Sequence, residues 1–431
     1  MNQPLYFATE KSSLSLVAAL VLALPLIFLQ EGFTYYISFQ MLALLTIAIL
    51  IFSTTHAIKA EKHFFVAFLT FTIVLVITAF VSPAVIAQNS SNMSLTVIGI
   101  VGYAAMIGCQ PHLVIRRASL ILHVLKSVTA VTVFALAGLI VLSESKLLPF
   151  LTRESLLEQN NRLIDNFTDA DAISADQALN LLIGQSERID LFYGEPSFLA
   201  IVLFTCLGCF MVTSTLLAYA NSGTKFSDLK SSFKSYESIM LIGVISLLYI
   251  QSFSSIIYAL VVIYFAFIKG KLRRTKLLTS ISFLIVFATV FLAFSYEYFL
   301  YRITQADSLS MMQRFGFLFD IGIGDLLAGI KDESMLPAGG IHNGLFYIIA
   351  ISGLGGVFYI ASLLYSAHTL SAPIKLSMFL VLLVLAIMMQ NGGVFSPNKV
   401  VLFSLVLLPL ACARTIYSGQ YHSAYNGCRY G

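Results

Sequence analysis

The sequence predicts an all-α protein that crosses a membrane many times, and three observations carry that prediction. Of its 431 residues, 58% are hydrophobic and only 11% are charged, with a mean hydropathy of +0.89. A soluble domain carries about 25% charged residues, so too few polar side chains remain here to cover a water-facing surface. Long apolar runs recur along the chain, and basic residues concentrate in alternate connecting segments. We therefore expect one integral membrane domain over 1–431.

Twelve segments are candidates for membrane-crossing helices. A crossing needs about 20 mostly apolar residues, and some of the twelve are marginal, so we expect ten to twelve spans. The seventh and eighth are short, and the SFSS sequence at 252–255 can form a re-entrant turn between them. Lys126 lies inside the fifth span, where its side chain is expected to snorkel toward the nearer surface. The segments are about 13–30, 34–55, 64–82, 94–110, 118–142, 197–220, 237–252, 253–268, 277–299, 344–367, 374–394 and 400–417.

The distribution of Lys and Arg predicts that both termini are cytoplasmic. With the N-terminus inside, the inner segments hold 16 of the 25 basic residues and the outer segments hold 8. This excess follows the positive-inside rule. Seven of the eight outer cations lie in two long outer loops, 143–196 and 300–343, and the eighth is Lys399. The loop 143–196 is acidic and contains two patterns typical of short helices, capped at Thr152 and Ser174.

The first candidate site lies where the loop 143–196 meets the sixth span, in the sequence RIDLFYGEPSFLA. Pro196 suits the first turn of a helix, because it lacks the N–H that would be unpaired there. Glu195 then takes the N-cap position, where the partial positive charge of the helix end favours a carboxylate. Arg188 precedes Glu195 by seven residues. These features fit either a helix cap alone or a functional carboxylate.

The second candidate site lies in and just after the loop 300–343. Arg302 follows three tyrosines and fits an interfacial belt. Arg314 presents a planar fork of donors that matches phosphate oxygens. Asn343 is expected to cap the tenth span, and His342 just outside it is either an interfacial histidine or part of the site. Six glycines between 316 and 340 suit either a flexible linker or close approach to a ligand.

No metal, cofactor or nucleic-acid site is predicted. The outer segments contain no HExxH, their single DxD is the DAD at 169–171, and no glycine-rich phosphate loop occurs in the sequence. Cys206 and Cys209 form a CxxC inside an apolar span without further ligands nearby, so we expect them to pack in the core. The basic residues are scattered over short loops and form no stripe for nucleic acid.

Two segments, 188–200 and 314–360, resemble the O-antigen polymerase (Wzy) family, within the wider superfamily that includes the O-antigen ligases. The resemblance rests on RIDLFYGEPSFLA and on Arg314 followed by IHNGLFYIIAISGLGGVFYI, and the pattern of spans with two long outer loops fits the whole chain. It implies a glycosyltransferase of the bacterial inner membrane whose active site faces the periplasm. The donor would be a growing glycan on undecaprenyl pyrophosphate, and the acceptor a single lipid-linked repeat unit.

The resemblance also suggests how the residues divide the chemistry. Arg188 and Arg314 would stabilise the pyrophosphate leaving group without a metal or other cofactor. Glu195 is the first choice for the base that accepts the proton of the acceptor hydroxyl, with His342 to orient or replace it. The implied partners are undecaprenyl-pyrophosphate-linked oligosaccharides, membrane lipids and a chain-length regulator protein. Further candidates for substrate binding are Arg302 and Asn343.

Two alternatives stay open at this point. An O-antigen ligase of the same superfamily would hand the glycan to a lipid A core, and the sequence barely separates it from a polymerase. A flippase or other transporter of lipid-linked oligosaccharides should place cations along a channel inside the spans. Lys126 is the one basic residue well inside a span, whereas the charged candidates collect on the outer face. That distribution favours a transferase.

Overall fold

The computed structural model describes a set of separate ranges of the chain, and the elements below are bounded within them. The predicted spans 64–82 and 277–299 lie outside the described residues, as do the two predicted helices of the loop 143–196. The described residues are 16–29, 39–60, 109–113, 115–144, 191, 196–222, 234–250, 252–268, 322–329, 343–354, 356–357, 360–361, 364–365, 368, 377–390, 398–406, 408–410 and 412.

Helices account for nearly all of these residues, as the composition predicts. Except for α7, which lies in the second long loop, each helix coincides with a predicted span or part of one. In chain order they are α1 (Leu16–Ile27), α2 (Phe39–Thr54), α3 (Ile115–Glu144), α4 (Pro196–Ser222), α5 (Lys234–Tyr249), α6 (Phe253–Ile263, continued by a π-helical turn over Tyr264–Ile268), α7 (Ile323–Ala328), α8 (Gly344–Ser352), α9 (Ser377–Met389) and α10 (Asn398–Leu410).

Helix α4 is the centre of the bundle. Its sequence is apolar on every side, and every side chain from Leu199 to Val212 is buried. A helix that is hydrophobic all round must be covered on all faces, and α4 packs against α3, α5, α6 and α9. Phe204 of α4 stacks on Tyr258 of α6 with ring centroids 4.5 Å apart. Cys206 and Cys209 lie in this core as free thiols, as core packing predicts.

Small residues and rings set the distance between α4 and its neighbours. At Gly208, an added Cβ would lie 2.7 Å from Leu383 Cδ2 of α9, so that helix approaches α4 closely. Phe379 of α9 meets Phe204 edge-on, with centroids 5.8 Å apart. Such edge-to-face pairs add about 0.5–1.5 kcal/mol beyond the area they bury.

The helices around α4 expose apolar side chains. Val17 and Val21 of α1 are 70% and 58% exposed, and Val141 of α3 is 66% exposed. Met41 of α2 and Leu241 of α5 are exposed as well. A monomeric soluble protein rarely leaves contiguous apolar surfaces of this kind uncovered.

Two of the described helices are long and apolar enough to cross a membrane. They are the stretches Leu120–Ser143 in α3 and Pro196–Ala218 in α4, with mean hydropathies of 2.1 and 2.2. Apolar but shorter stretches occur in α1, α5, α6, α9 and α10. At 1.5 Å per residue, the 16 residues of α5 rise about 24 Å, which is less than the roughly 30 Å of a bilayer's hydrocarbon core.

The helical structure is interrupted between the seventh and eighth predicted spans, at the SFSS sequence. Helix α5 ends at Tyr249 and α6 begins at Phe253. Ser252 caps α6: its hydroxyl accepts from the Ser255 N–H at 3.1 Å, and the Ser255 hydroxyl accepts from the Ser252 N–H at 3.1 Å. This reciprocal capping box satisfies two N–H groups that a helix start leaves unpaired.

One pair of strands departs from the all-α expectation. Strand β1 (Thr55–Ala60) follows α2 directly and pairs antiparallel with β2 (Cys109–Leu113), which lies just before α3. The last two residues of the predicted span 94–110 therefore belong to a strand. Buried backbone N–H and C=O groups need partners outside a helix as well as inside it. Pairing the two segments supplies those partners.

The predicted span 344–367 is interrupted at Gly353. Helix α8 ends at Ser352, and Gly353 follows with a positive φ of 54°. Its missing side chain lets the backbone of Leu327, in α7, approach directly. We predicted no break here, because the contact comes from a segment of the second loop that is distant along the chain.

Candidate functional site

The structure confirms where the helix of the first motif begins. Helix α4 starts at Pro196, as the missing N–H of proline predicts. Glu195, Arg188, Arg302, Arg314 and His342 lie outside the described residues. The grouping of these side chains into one site stays a prediction.

The predicted cap of the second motif is confirmed. The Asn343 side chain is 2% exposed, and its Oδ1 accepts from the N–H groups of Leu345 at 3.1 Å and Phe346 at 3.4 Å. These are two of the donors that the first turn of α8 leaves without intrahelical partners. Since Oδ1 is committed to the cap, Asn343 has a structural role of its own. Its suggested contact with substrate stays a prediction.

A chain of hydrogen bonds joins the start of α4 to residues that the sequence analysis did not select. Gln390, directly after α9, donates from Nε2 to Ser197 Oγ at 2.9 Å. Lys399, at the start of α10, donates from Nζ to the Gln390 carbonyl oxygen at 2.5 Å. We call Ser197, Gln390 and Lys399 the polar triad. Three helix ends therefore meet at the first turn of α4.

The polar triad is unlike the other polar groups of the bundle. Thr213, Thr215 and Ser404 are buried too, but their hydroxyls donate to the carbonyl four residues earlier in the same helix. Such bonds satisfy a hydroxyl locally and connect nothing else. The Gln390–Ser197 bond instead joins residues 193 positions apart.

Lys399 is the one charged side chain that is buried among the described residues, with an exposed fraction of 0%. Burying a cation costs several kcal/mol unless it is paired or hydrogen-bonded. Its acceptor, the Gln390 carbonyl, lies at the C-terminal end of α9. Carbonyl groups there lack intrahelical donors and carry the partial negative charge of the helix dipole. The position therefore suits a hydrogen-bond donor.

A further polar atom lies beside Lys399. The Asn398 Oδ1 is buried and finds no hydrogen-bond partner within the described ranges. A buried acceptor without a partner costs about 1–3 kcal/mol. Near the start of α4, the polar side chains of Gln390, Asn398 and Lys399 therefore lie in apolar surroundings.

Sequence reasoning missed the polar triad for an identifiable reason. Lys399 was counted only as the eighth outer cation, although it is the one that lies outside both long loops. Gln390 interrupts the run VLAIMMQN at the end of the eleventh predicted span. Those two positions were the available signals, but no local pattern connects either residue with Ser197.

The second basic residue of the bundle interior is Lys126. It is half-buried on α3, and its Nζ lies 5.8 Å from the ring centroid of Phe210 on α4. A cation over an aromatic face gains about 0.5–2 kcal/mol. This contact with α4 is one that the snorkelling interpretation did not include. Across the described ranges, no three His, Cys, Asp or Glu side chains lie close enough to hold a metal.

Comparisons with known proteins identify no relative of this chain. No family model, no curated protein and no solved structure matches this chain. The resemblance of segments 188–200 and 314–360 therefore rests on their own motifs and on the order of the predicted spans.

Proposed function

We propose that this chain is a membrane-embedded glycan polymerase, which transfers a growing glycan from undecaprenyl pyrophosphate to a lipid-linked repeat unit. The observation that carries the proposal is the start of α4. This helix begins at Pro196, immediately after the EP pair of the first motif, and its first turn is hydrogen-bonded to Gln390. A reactive carboxylate at the N-cap position would need such a fixed helix start.

The exposed apolar faces support a membrane location. In lipid, apolar side chains face outward without cost, and helices satisfy their backbone groups internally. Val17, Val21 and Val141 lie on such faces, and α3 and α4 have the length to cross. The proposal keeps about twelve spans, cytoplasmic termini and two long periplasmic loops in the bacterial inner membrane.

Contacts between helix ends support the proposed topology. Ser197, Gln390 and Lys399 all fall at predicted periplasmic ends of spans, and they meet. Strands β1 and β2 fall on the predicted cytoplasmic side, and they pair. Because those strands pair directly, the chain between them must cross a membrane an even number of times. Two crossings, at 64–82 and 94–110, would satisfy that requirement.

The proposed reaction forms one glycosidic bond and breaks one glycosyl–phosphate bond. The acceptor hydroxyl oxygen attacks the anomeric carbon of the donor, and its proton passes to the Glu195 carboxylate. The bond from that carbon to the pyrophosphate oxygen breaks, and undecaprenyl pyrophosphate leaves with the electron pair. Arg188 and Arg314 stabilise the charge that develops there, so no metal is required. His342 orients the acceptor or Glu195.

The test is polymerisation by the purified full-length protein in lipid, given one defined lipid-linked repeat unit and EDTA. A ladder of products at multiples of the repeat unit is expected. Loss of the ladder in EDTA with recovery on adding Mg²⁺ or Mn²⁺ would contradict the metal-free mechanism. Transfer that requires an added lipid A core would indicate a ligase. Movement of the substrate across the bilayer without new glycosidic bonds would indicate a flippase.

The base assignment is tested by Glu195→Gln, which keeps the shape and removes the carboxylate. General-base assistance contributes about 10²–10⁴-fold to a rate, so kcat should fall by that factor while substrate binding is retained. Glu158→Gln, in the same acidic loop but outside the motif at 188–200, is the matched control and should leave kcat unchanged. If Glu195→Gln is active and His342→Ala is inactive, His342 is the base. If both variants are active, Glu195 is a helix cap only.

A further inference from the structure

The polar triad links three helix ends that are far apart in sequence. Lys399, at the start of α10, donates a hydrogen bond to the backbone carbonyl of Gln390. The Gln390 side chain donates to the hydroxyl of Ser197, in the first turn of α4. The Gln390 side chain is 6% exposed, Lys399 is fully buried and Ser197 is half-buried, so the Lys399–Gln390 bond is shielded from water and the Gln390–Ser197 bond is shielded in part. A hydrogen bond shielded from water is stronger and better defined in geometry than an exposed one.

Packing alone does not account for Lys399. A methionine of similar length would fill the same volume without the desolvation cost of a cation, which amounts to several kcal/mol. What lysine adds is a donor to a carbonyl at the C-terminal end of α9. That bond fixes the backbone of Gln390, and the backbone in turn aims the Gln390 amide at α4.

The Gln390–Ser197 bond bears on Glu195 because Ser197 follows Glu195 by two residues in the chain. Ser197 is the second residue of α4, after Pro196, and Glu195 comes directly before Pro196. Proline has a fixed φ, so it transmits the position of the first turn to the preceding residue with little freedom. A helix start that shifts therefore shifts the residue before it.

We infer that Lys399 and Gln390 are positioning residues for the proposed glycosyl transfer, which act on the Glu195 end of α4 through Ser197. This inference rests on the proposed function. Lys399 does not meet substrate in this scheme; it acts through the Gln390 backbone. Catalytic geometry is sensitive to such support, since a misplacement of about 1 Å can cost roughly 10²-fold in rate.

Two variants separate the links of the triad. Lys399→Met removes the donor to the carbonyl, and Gln390→Met removes the amide donor but leaves the backbone carbonyl for Lys399. Each should lower kcat by about 10- to 100-fold and leave KM for the lipid-linked repeat unit within about threefold. Because both act on one turn of α4, the double variant should lose no more than the worse single variant, whereas independent effects would multiply.

The matched control is Ser404→Ala in α10. Ser404 is buried close to Lys399 in sequence, and its hydroxyl bonds only the Val400 carbonyl one turn earlier. This variant should resemble the wild type in kcat. The melting temperatures of Gln390→Met and of the control should agree, which would separate positioning from general destabilisation.

Hydrogen–deuterium exchange of the full-length protein in lipid gives a readout that needs no activity. The amides of 197–203 should exchange faster in both methionine variants, while those of α3 stay unchanged. If exchange rises but the wild type forms no polymer, the triad stands and the proposed function falls. Unchanged exchange at 197–203 would overturn the inference, as would faster exchange with kcat within threefold of wild type. If Lys399→Met does not fold, Gln390→Met decides alone.

Discussion

At the scale of single residues, helix starts show most directly how a side chain fixes local structure. Pro196 begins α4 because its missing N–H costs nothing in a first turn. Asn343 caps the start of α8, because its Oδ1 accepts from two N–H groups that lack intrahelical partners. Both residues lie within the motifs of the proposed active site. Lys399 differs, since its role depends on a carbonyl brought to it by the fold.

Arg314→Lys tests whether the fork of the arginine matters beyond its charge. Lysine keeps the charge but binds phosphate as a point donor and loses one of two parallel hydrogen bonds. A charge-assisted hydrogen bond is worth about 1.5–3 kcal/mol, so kcat should fall by roughly 10- to 100-fold. The measurement is the rate of polymer formation by purified protein.

The control for that variant is Lys331→Arg in the same predicted loop, which also exchanges one cation for the other. It should keep the wild-type rate. A wild-type rate in Arg314→Lys would show that only the charge at position 314 is needed, and would remove the argument for bidentate binding of pyrophosphate.

At the scale of elements, packing decides where helices break and approach. Gly208 lets α9 approach α4, and Gly353 lets the backbone of α7 meet the end of α8. The break at Gly353 divides a run that is apolar enough to be a continuous span. Strands β1 and β2 are a second departure from continuous helix, at a place where two chain segments lie side by side.

Gly353→Ala should destabilise the contact between α7 and α8. Position 353 has a φ of 54°, and an added Cβ would overlap the Leu327 carbonyl, which belongs to backbone and cannot rotate away. A sparsely populated backbone conformation of this kind costs a residue with a side chain about 1–3 kcal/mol, and overpacking adds about 1–3 kcal/mol. A lower melting temperature of the purified protein is the expected result.

Gly138→Ala in α3 is the matched control, because nothing lies within 4 Å of the Cβ it would add. Alanine is also the better helix former by about 1 kcal/mol, so this variant should melt at or above the wild-type temperature. Equal melting of Gly353→Ala and the wild type would contradict the close approach of α7.

At the scale of the whole molecule, one buried helix organises the bundle. Helix α4 is covered by α3, α5, α6 and α9, while the surrounding helices turn apolar side chains outward. This is the reverse of a soluble bundle, whose outer faces are charged. The distribution suits a chain solvated by lipid.

Labelling with a membrane-impermeant thiol reagent tests the proposed topology. Single cysteines at Ser174 and Ser334, in the two long loops, should react in intact spheroplasts. A cysteine at Ser231, between the sixth and seventh spans, should react only after permeabilisation, because the excess of Lys and Arg places that segment inside. Cys109 and Cys428 are replaced beforehand, while the described native thiols at 206, 209 and 412 are buried and can stay.

Two outcomes of the labelling experiment would contradict the proposed topology. Reaction of the Ser231 site in intact spheroplasts would reverse the orientation and move the predicted site residues to the cytoplasm. Failure of the Ser174 and Ser334 sites to react, combined with reaction after permeabilisation, would lead to the same conclusion.

The sequence by itself determined the helical class and the local signals along the chain. Apolar length predicted α3 and α4, proline predicted the start of α4, and asparagine predicted the start of α8. These features depend on residues within a few positions of each other, since caps and apolar runs act over one turn or one helix.

Only the tertiary structure decided which distant residues meet. The bond between Gln390 and Ser197 spans 193 positions, and Gly353 breaks a helix because another segment approaches it. The pairing of 55–60 with 109–113 likewise joins two segments with no shared local pattern. Periodicity and capping report on neighbours along the chain, whereas these contacts exist only after helices have packed. Lys399 therefore reads as one more loop cation in the sequence and as a buried donor in the fold.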